Sequence, residues 1–130
     1  MHHTQTYWNH RHLPNFLFIH YNDMLEDLDG AVRKLADFAG IEVSDDKVDQ
    51  VVEANTFANV RKRIDADQTE DPMAANFKGG RKTFYFKGTN GRWKDVLNAD
   101  DLQLYEQAKQ KVLTPDCADW LERGNVALKT

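Results

Sequence analysis

Hydrophobic positions along much of this chain recur at intervals of three and four, but in one short stretch they run together. That stretch is FLFIHY, Phe16 to Tyr21, with Pro14-Asn15 before it and Asn22-Asp23 after it. An apolar, aromatic-rich run of this length between turn residues predicts a buried β-strand, the one convincing strand in the pattern. The segments that follow predict helices. Asp27 is a good N-cap, Leu28, Val32, Leu35, Ala36 and Ala39 repeat at helical spacing, and Gly40 stands where a left-handed cap belongs. Ser44 opens a second helix with Asp45 and Asp46 in its first turn and Val48, Val51 and Val52 on its apolar face. Asn55 and Thr56 interrupt it, and Phe57 and Val60 start another turn or two. Residues 65–83, with Pro72 and Gly79-Gly80, have no sustained period and predict an irregular loop. Asn98 then caps a long helix reaching Leu113, and Thr114-Pro115 starts a last one that ends before Gly124.

A single strand among several helices is an architectural problem. A strand leaves a row of backbone groups that must pair, and no second strand is evident. FLFIHY therefore needs partners: a second copy meeting it at an exposed sheet edge, or further strands of a larger α/β domain.

Length and composition narrow the class. At 130 residues the chain fits one domain, and its apolar content suits a globular core. The net charge of −4 disfavours nucleic acid and anionic membranes as partners, and no apolar stretch approaches a membrane span. The one cysteine, Cys117, cannot form an internal disulfide, which fits a reducing cytoplasm. Its place near a helix N-terminus could lower its pKa, but no base accompanies it, and a structural role is favoured. The histidines, His2, His3, His10, His12 and His20, do not have the spacing of a metal site, and none is expected.

Charge distribution changes the picture more than its sum. Between Phe77 and Lys94 lie six basic residues, Lys78, Arg81, Lys82, Lys87, Arg92 and Lys94, and no acid. Four of the seven glycines, Gly79, Gly80, Gly88 and Gly91, fall in the same window. A cationic, glycine-punctuated stretch in an acidic chain is either an anion site or a solvated loop kept soluble by its lysines. The basic run Arg61-Lys62-Arg63 reads first as a solvated helix end.

Taken in order, several motifs resemble the sulfotransferases that use 3′-phosphoadenosine 5′-phosphosulfate (PAPS). His3-Thr4-Gln5-Thr6-Tyr7-Trp8 stands where the family has a His-x-x-Ser-Trp-Trp-like pattern, and Tyr21-Asn22-Asp23 matches its Tyr-Glu-Asp. Phe38-Ala39-Gly40 matches Phe-Leu-Gly, and Asn55-Thr56-Phe57 matches a Thr-Ser-Phe-like segment. Phe86-Lys87-Gly88-Thr89-Asn90-Gly91-Arg92-Trp93-Lys94 matches the signature Arg-Lys-Gly-x-x-Gly-Asp-Trp-Lys. The resemblance runs from about residue 3 to residue 113 and corresponds to the C-terminal half of the family domain.

The resemblance implies a predominantly helical α/β portion of a P-loop-NTPase-like fold with one buried strand. It also implies transfer of a sulfuryl group from PAPS to a hydroxyl or amine, with 3′-phosphoadenosine 5′-phosphate (PAP) as product. Tyr21 would lie against the adenine, with Phe57 and the Asn55-Thr56 pair on the same wall. Lys87 and the Gly88 amide would hold the 3′-phosphate, Gly91 would permit the turn, and Trp93 would anchor the loop. The departures are specific. Phe86 replaces the signature arginine, removing a bidentate phosphate clamp, and Arg92 replaces its aspartate, where it could lend a cation. Only Lys94 remains of the family's dimer segment, whose other positions hold Asn98, Ala99 and Gln103. No Gly-rich strand-to-helix loop for the 5′-phosphosulfate and no acceptor base is visible, so no catalytic residue is expected and little turnover from this chain alone. The chain reads as starting partway through the domain. The alternative is a non-catalytic helical interaction module with a sulfotransferase-like shape and an exposed apolar face where the sheet is missing.

Overall fold

The computed structural model describes residues 1–67, 69–71, 76–85 and 87–125. Among them are eight α-helices: α1 (His2–Trp8), α2 (Tyr21–Glu26), α3 (Leu28–Phe38), α4 (Asp45–Asn55), α5 (Phe57–Ala66), α6 (Gly80–Phe84), α7 (Ala99–Val112) and α8 (Pro115–Arg123). A single 3-10 turn, Arg92–Asp95, precedes α7. The chain divides into two compact units, one of Met1–Glu42 with Gly91–Thr130 and one of Val43–Asn90.

Local chemistry sets the helix starts. The Asp27 carboxylate accepts the Gly30 N–H at 2.8 Å, and Thr56 Oγ1 accepts the Asn59 N–H at 3.3 Å. Asn98 and Asp101 form a full capping box at the head of α7. Pro115 occupies the first turn of α8, where its missing N–H costs nothing.

In the first unit the described residues assemble around α8. Trp8, Leu113, Cys117 and Trp120 form the buried cluster, with Phe18, Val112, Ala118 and Leu121 packed against it. Trp120 meets the rings of Trp8, Phe18 and His20 at centroid separations of 5.1, 5.3 and 5.2 Å. Polar ties join the same helix. Trp8 Nε1 donates to Asp116 Oδ2 at 2.8 Å, the Thr114 N–H donates to Gln5 Oε1 at 2.7 Å, and Lys109 on α7 pairs with Glu122 at 2.6 Å. The Asp23 carboxylate of α2 accepts the Asn125 backbone N–H and side-chain amide beyond the helix end. Cys117 is fully buried, and burial, followed by the neighbouring Asp116 charge, pushes its thiol pKa up. The helix start does not activate it.

The expected strand is not present. Among the described residues there is no strand or sheet; Phe16–His20 is extended backbone without a ladder partner, and Tyr21 already begins α2. A β-strand is defined by pairing, and the described part of this chain offers no second strand. Side chains hold the segment instead: Phe18 packs edge-on against both Trp8 and Trp120, and His20 Nε2 lies 3.0 Å from the Leu121 carbonyl. The fold is therefore all-helical where it is described, not α/β with one strand. Self-association through a sheet edge is not supported, since the described residues offer no sheet edge. What the segment does border is an apolar cleft of about 700 Å³ lined by Tyr7, Phe16, Phe18, Leu35, Phe38 and Trp120.

In the second unit α4 packs on α5 and α5 on α6. The loop expected over residues 65–83 contains α6, which its composition does not announce. No described helix is long and apolar enough to cross a membrane.

Replacing Trp120 with Ala removes the ring on which α1, the extended segment and α8 converge. The expected loss of stability is about 3–5 kcal/mol, checked by thermal and denaturant unfolding.

Candidate functional site

Of the residues singled out for nucleotide binding, Asn55, Thr56, Phe57, Lys87 and Gly88 belong to the second unit and Tyr21 to the first. Tyr21 is the first residue of α2 and 46% exposed. Asn55 closes α4, and its Nδ2 donates back to the Val51 carbonyl at 2.8 Å. Thr56 is the N-cap of α5, and its hydroxyl also donates to the Glu53 carbonyl at 3.2 Å. Both side chains thus shape the α4–α5 corner, and Phe57 follows at the first position of α5, 38% exposed.

The structure brings Phe57 and Gly88 into contact. Gly88 has φ +62°, and a Cβ built there would lie 2.4 Å from Phe57 Cδ2 and 2.6 Å from Cγ. Two separate constraints demand glycine here: a backbone region that L-residues rarely enter, and a ring occupying the space a side chain would need. Lys87, next to it, is exposed. Gly91 also has a positive φ, +84°, but nothing lies within 4 Å of a Cβ there. Trp93 is 48% exposed, with the Lys94 ammonium 5.7 Å from its ring centroid, so it packs less than an anchor would. Phe86 lies outside the described residues.

The cationic stretch is partly neutralised by acids that precede it. Arg81 Nη1 meets Asp67 Oδ2 at 2.6 Å and its Nε meets Asp71 Oδ1 at 3.3 Å; Lys82 reaches Asp65 at 3.6 Å. The Arg81 N–H also donates to Asp71 Oδ2 at 2.7 Å. Arg81 is therefore a clasp for the loop end. Arg61 is engaged as well, its Nη1 donating to the Lys82 carbonyl at 3.0 Å and to the Tyr85 carbonyl. The sequence signal for the clasp was available in Asp65, Asp67 and Asp71, which stand just upstream of the six cations. Which acid meets which base depends on the loop path.

Asp67 carries the strongest electrostatic perturbation in this region. Hydrogen bonds from the Thr69 hydroxyl, then from the Thr69 amide and Arg81, hold its pKa down at about 2 against an ordinary 3.8. Among the described residues no cluster of three or more histidine, cysteine, aspartate or glutamate side chains could hold a metal ion.

A family model described as the sulfotransferase domain matches residues 1–115, and the chain belongs to that family. It is 28% identical over 125 residues to a glycolipid sulfotransferase of Mycobacterium bovis (strain BCG / Pasteur 1173P2), covering 95% of this chain and 37% of that protein. It is 32% identical over 110 residues to sulfotransferase 1E1 of Bos taurus, covering 81% of this chain and 37% of that protein. Among solved structures, mouse sulfotransferase SULT7A1 complexed with PAP matches with a TM-score of 0.74 at 20% identity. That match covers 92% of this chain and 43% of the mouse chain, and it is a likeness of fold. The chain thus spans less than half the length of these proteins.

Two outcomes follow from the geometry. Gly88→Ala meets both the φ penalty and the Phe57 ring, whereas Gly91→Ala meets the φ penalty alone, about 1–2 kcal/mol. Unfolding of the two variants is expected to show the larger loss at Gly88. Asp67 has a lowered folded-state pKa, so its contribution is complete above roughly pH 4 and is lost as pH falls through about 2. Carboxyl-carbon NMR should give its midpoint near 2, and Thr69→Val should raise that midpoint toward 3.8.

Proposed function

We propose that this chain supplies part of the nucleotide pocket of a PAPS-dependent sulfotransferase. Phe57, with the Asn55-Thr56 corner behind it, forms a wall for the adenine, while Lys87 and the Gly88 N–H hold the 3′-phosphate. Tyr21 is assigned to the adenine by the family motif alone. The observation that carries this reading is the contact between Phe57 and the Gly88 backbone. In an adenosine 3′-phosphate the base and the phosphate sit on one ribose, so a base wall and a phosphate turn must be neighbours. A phosphate also calls for converging N–H donors and a cation, and glycine lets the backbone approach closely enough to supply the donor.

The reaction served is sulfuryl transfer. The bond from sulfur to the bridging oxygen of the 5′-phosphate breaks, a bond to an acceptor oxygen or nitrogen forms, and the acceptor proton passes to a base. We assign neither that base nor the 5′-phosphosulfate loop to residues of this chain, and expect nucleotide binding from it with little turnover. A cytoplasmic setting suits the lone, buried Cys117. The competing idea of a non-catalytic interaction module rests on the apolar cleft beside Phe16. Nothing in its lining identifies an occupant, and the Phe57–Gly88 juxtaposition favours the nucleotide.

Calorimetric titration with PAP tests the assignment. The wild-type chain should bind, and Lys87→Ala should bind at least tenfold more weakly, about 1.4 kcal/mol. Equal binding by both, or binding by neither, contradicts it.

A further inference from the structure

We infer that Arg61 is a positioning residue for the nucleotide turn: by gripping the Lys82 and Tyr85 carbonyls it holds Lys87 and Gly88 over the Phe57 ring. The inference rests on the nucleotide-pocket reading for its functional consequence, but its structural half stands on geometry alone. Helix α6 has five residues, too few to persist in water on its own, so its order must come from outside. At its start the Arg81 clasp to Asp67 and Asp71 supplies it. At its end carbonyls lack helical partners, and Arg61 Nη1 donates to two of them, Lys82 at 3.0 Å and Tyr85. Arg61 is one turn after Phe57 on α5, and residues four apart share a helix face. One face of α5 therefore holds successive parts of the same stretch, Arg61 gripping Lys82 and Tyr85 and Phe57 resting against Gly88.

Two of the three guanidinium nitrogens of Arg61 are already engaged inside this unit. The Nη1 group is spent on two carbonyls, and Nε faces Asp65 Oδ2 at 3.4 Å. A lysine at position 61 would keep the charge but end short of Nη1 and lack the planar guanidinium. Charge and grip can thus be told apart.

The test uses the full chain as wild type, Arg61→Ala, Arg61→Lys and Lys87→Ala, each followed by amide NMR and by PAP titration. In both Arg61 variants the Gly88 amide should lose its ring-current shift from Phe57 while the Val48 amide of α4 stays in place. PAP affinity should fall about tenfold in both. An unmoved Gly88 amide in Arg61→Ala, or wild-type PAP affinity in Arg61→Lys, overturns the inference. If Arg61→Ala also displaces the Val48 amide, Arg61→Lys decides by the same criteria. If wild type fails to bind PAP, or Lys87→Ala binds as wild type does, the nucleotide reading fails, and the Gly88 amide still reports whether Arg61 places the turn.

Discussion

The Phe57 ring stands where a side chain at position 88 would begin. That close approach ties the first residue of α5 to a turn thirty-one positions later and constrains both. Gly88 must be glycine, and the turn must pass across an aromatic face. A carbon-rich surface beside an amide and a lysine is a sensible chemical surround for a phosphorylated nucleoside: one side excludes water from a base, the other offers donors to an anion. The salt links at Arg81 and the carbonyl grip of Arg61 are supports for that juxtaposition. They explain why a five-residue helix survives in a loop whose composition promises no regular structure.

The first unit follows a different principle. Its extended segment has apolar side chains suited to a sheet, yet among the described residues no second strand meets it. Aromatic packing takes over the task of holding it. Phe18 and His20 lie against Trp120, and Trp120 lies against Trp8, so one helix, α8, collects α1, the segment and the start of α2. Side-chain packing fixes position without satisfying a backbone ladder. The apolar cleft along Phe16 and Phe18 is the visible consequence.

What was legible in the sequence was what neighbouring residues decide. Asp27 and Asn98 accept amide N–H groups within three positions, Pro115 fills a first-turn position that needs no N–H, and each marks its helix as its chemistry predicts. The FLFIHY run predicted a buried, paired strand, yet Phe16–Ile19 are only half-buried, Tyr21 is exposed, and no described segment pairs with it, because a ladder depends on distant segments. The cationic stretch suggested more free charge than exists, because Asp67 and Asp71 reach Arg81 only through the path of the loop. For the site, motif order singled out Phe57 and Gly88 as candidates, while their contact and the hydrogen bonds from Arg61 to the Lys82 and Tyr85 carbonyls required coordinates. Family membership was legible in the same motif order, and the match to the sulfotransferase domain over residues 1–115 agrees with it.

The most direct measurement follows the Gly88 amide during titration of the isotopically labelled chain with PAP and, separately, with adenosine 5′-phosphate. The two ligands share the adenine and ribose, and only PAP carries the 3′-phosphate. A large displacement of that amide by PAP, with little from adenosine 5′-phosphate, is the predicted result. An amide that ignores both ligands, or moves equally with each, would contradict a phosphate grip at this turn.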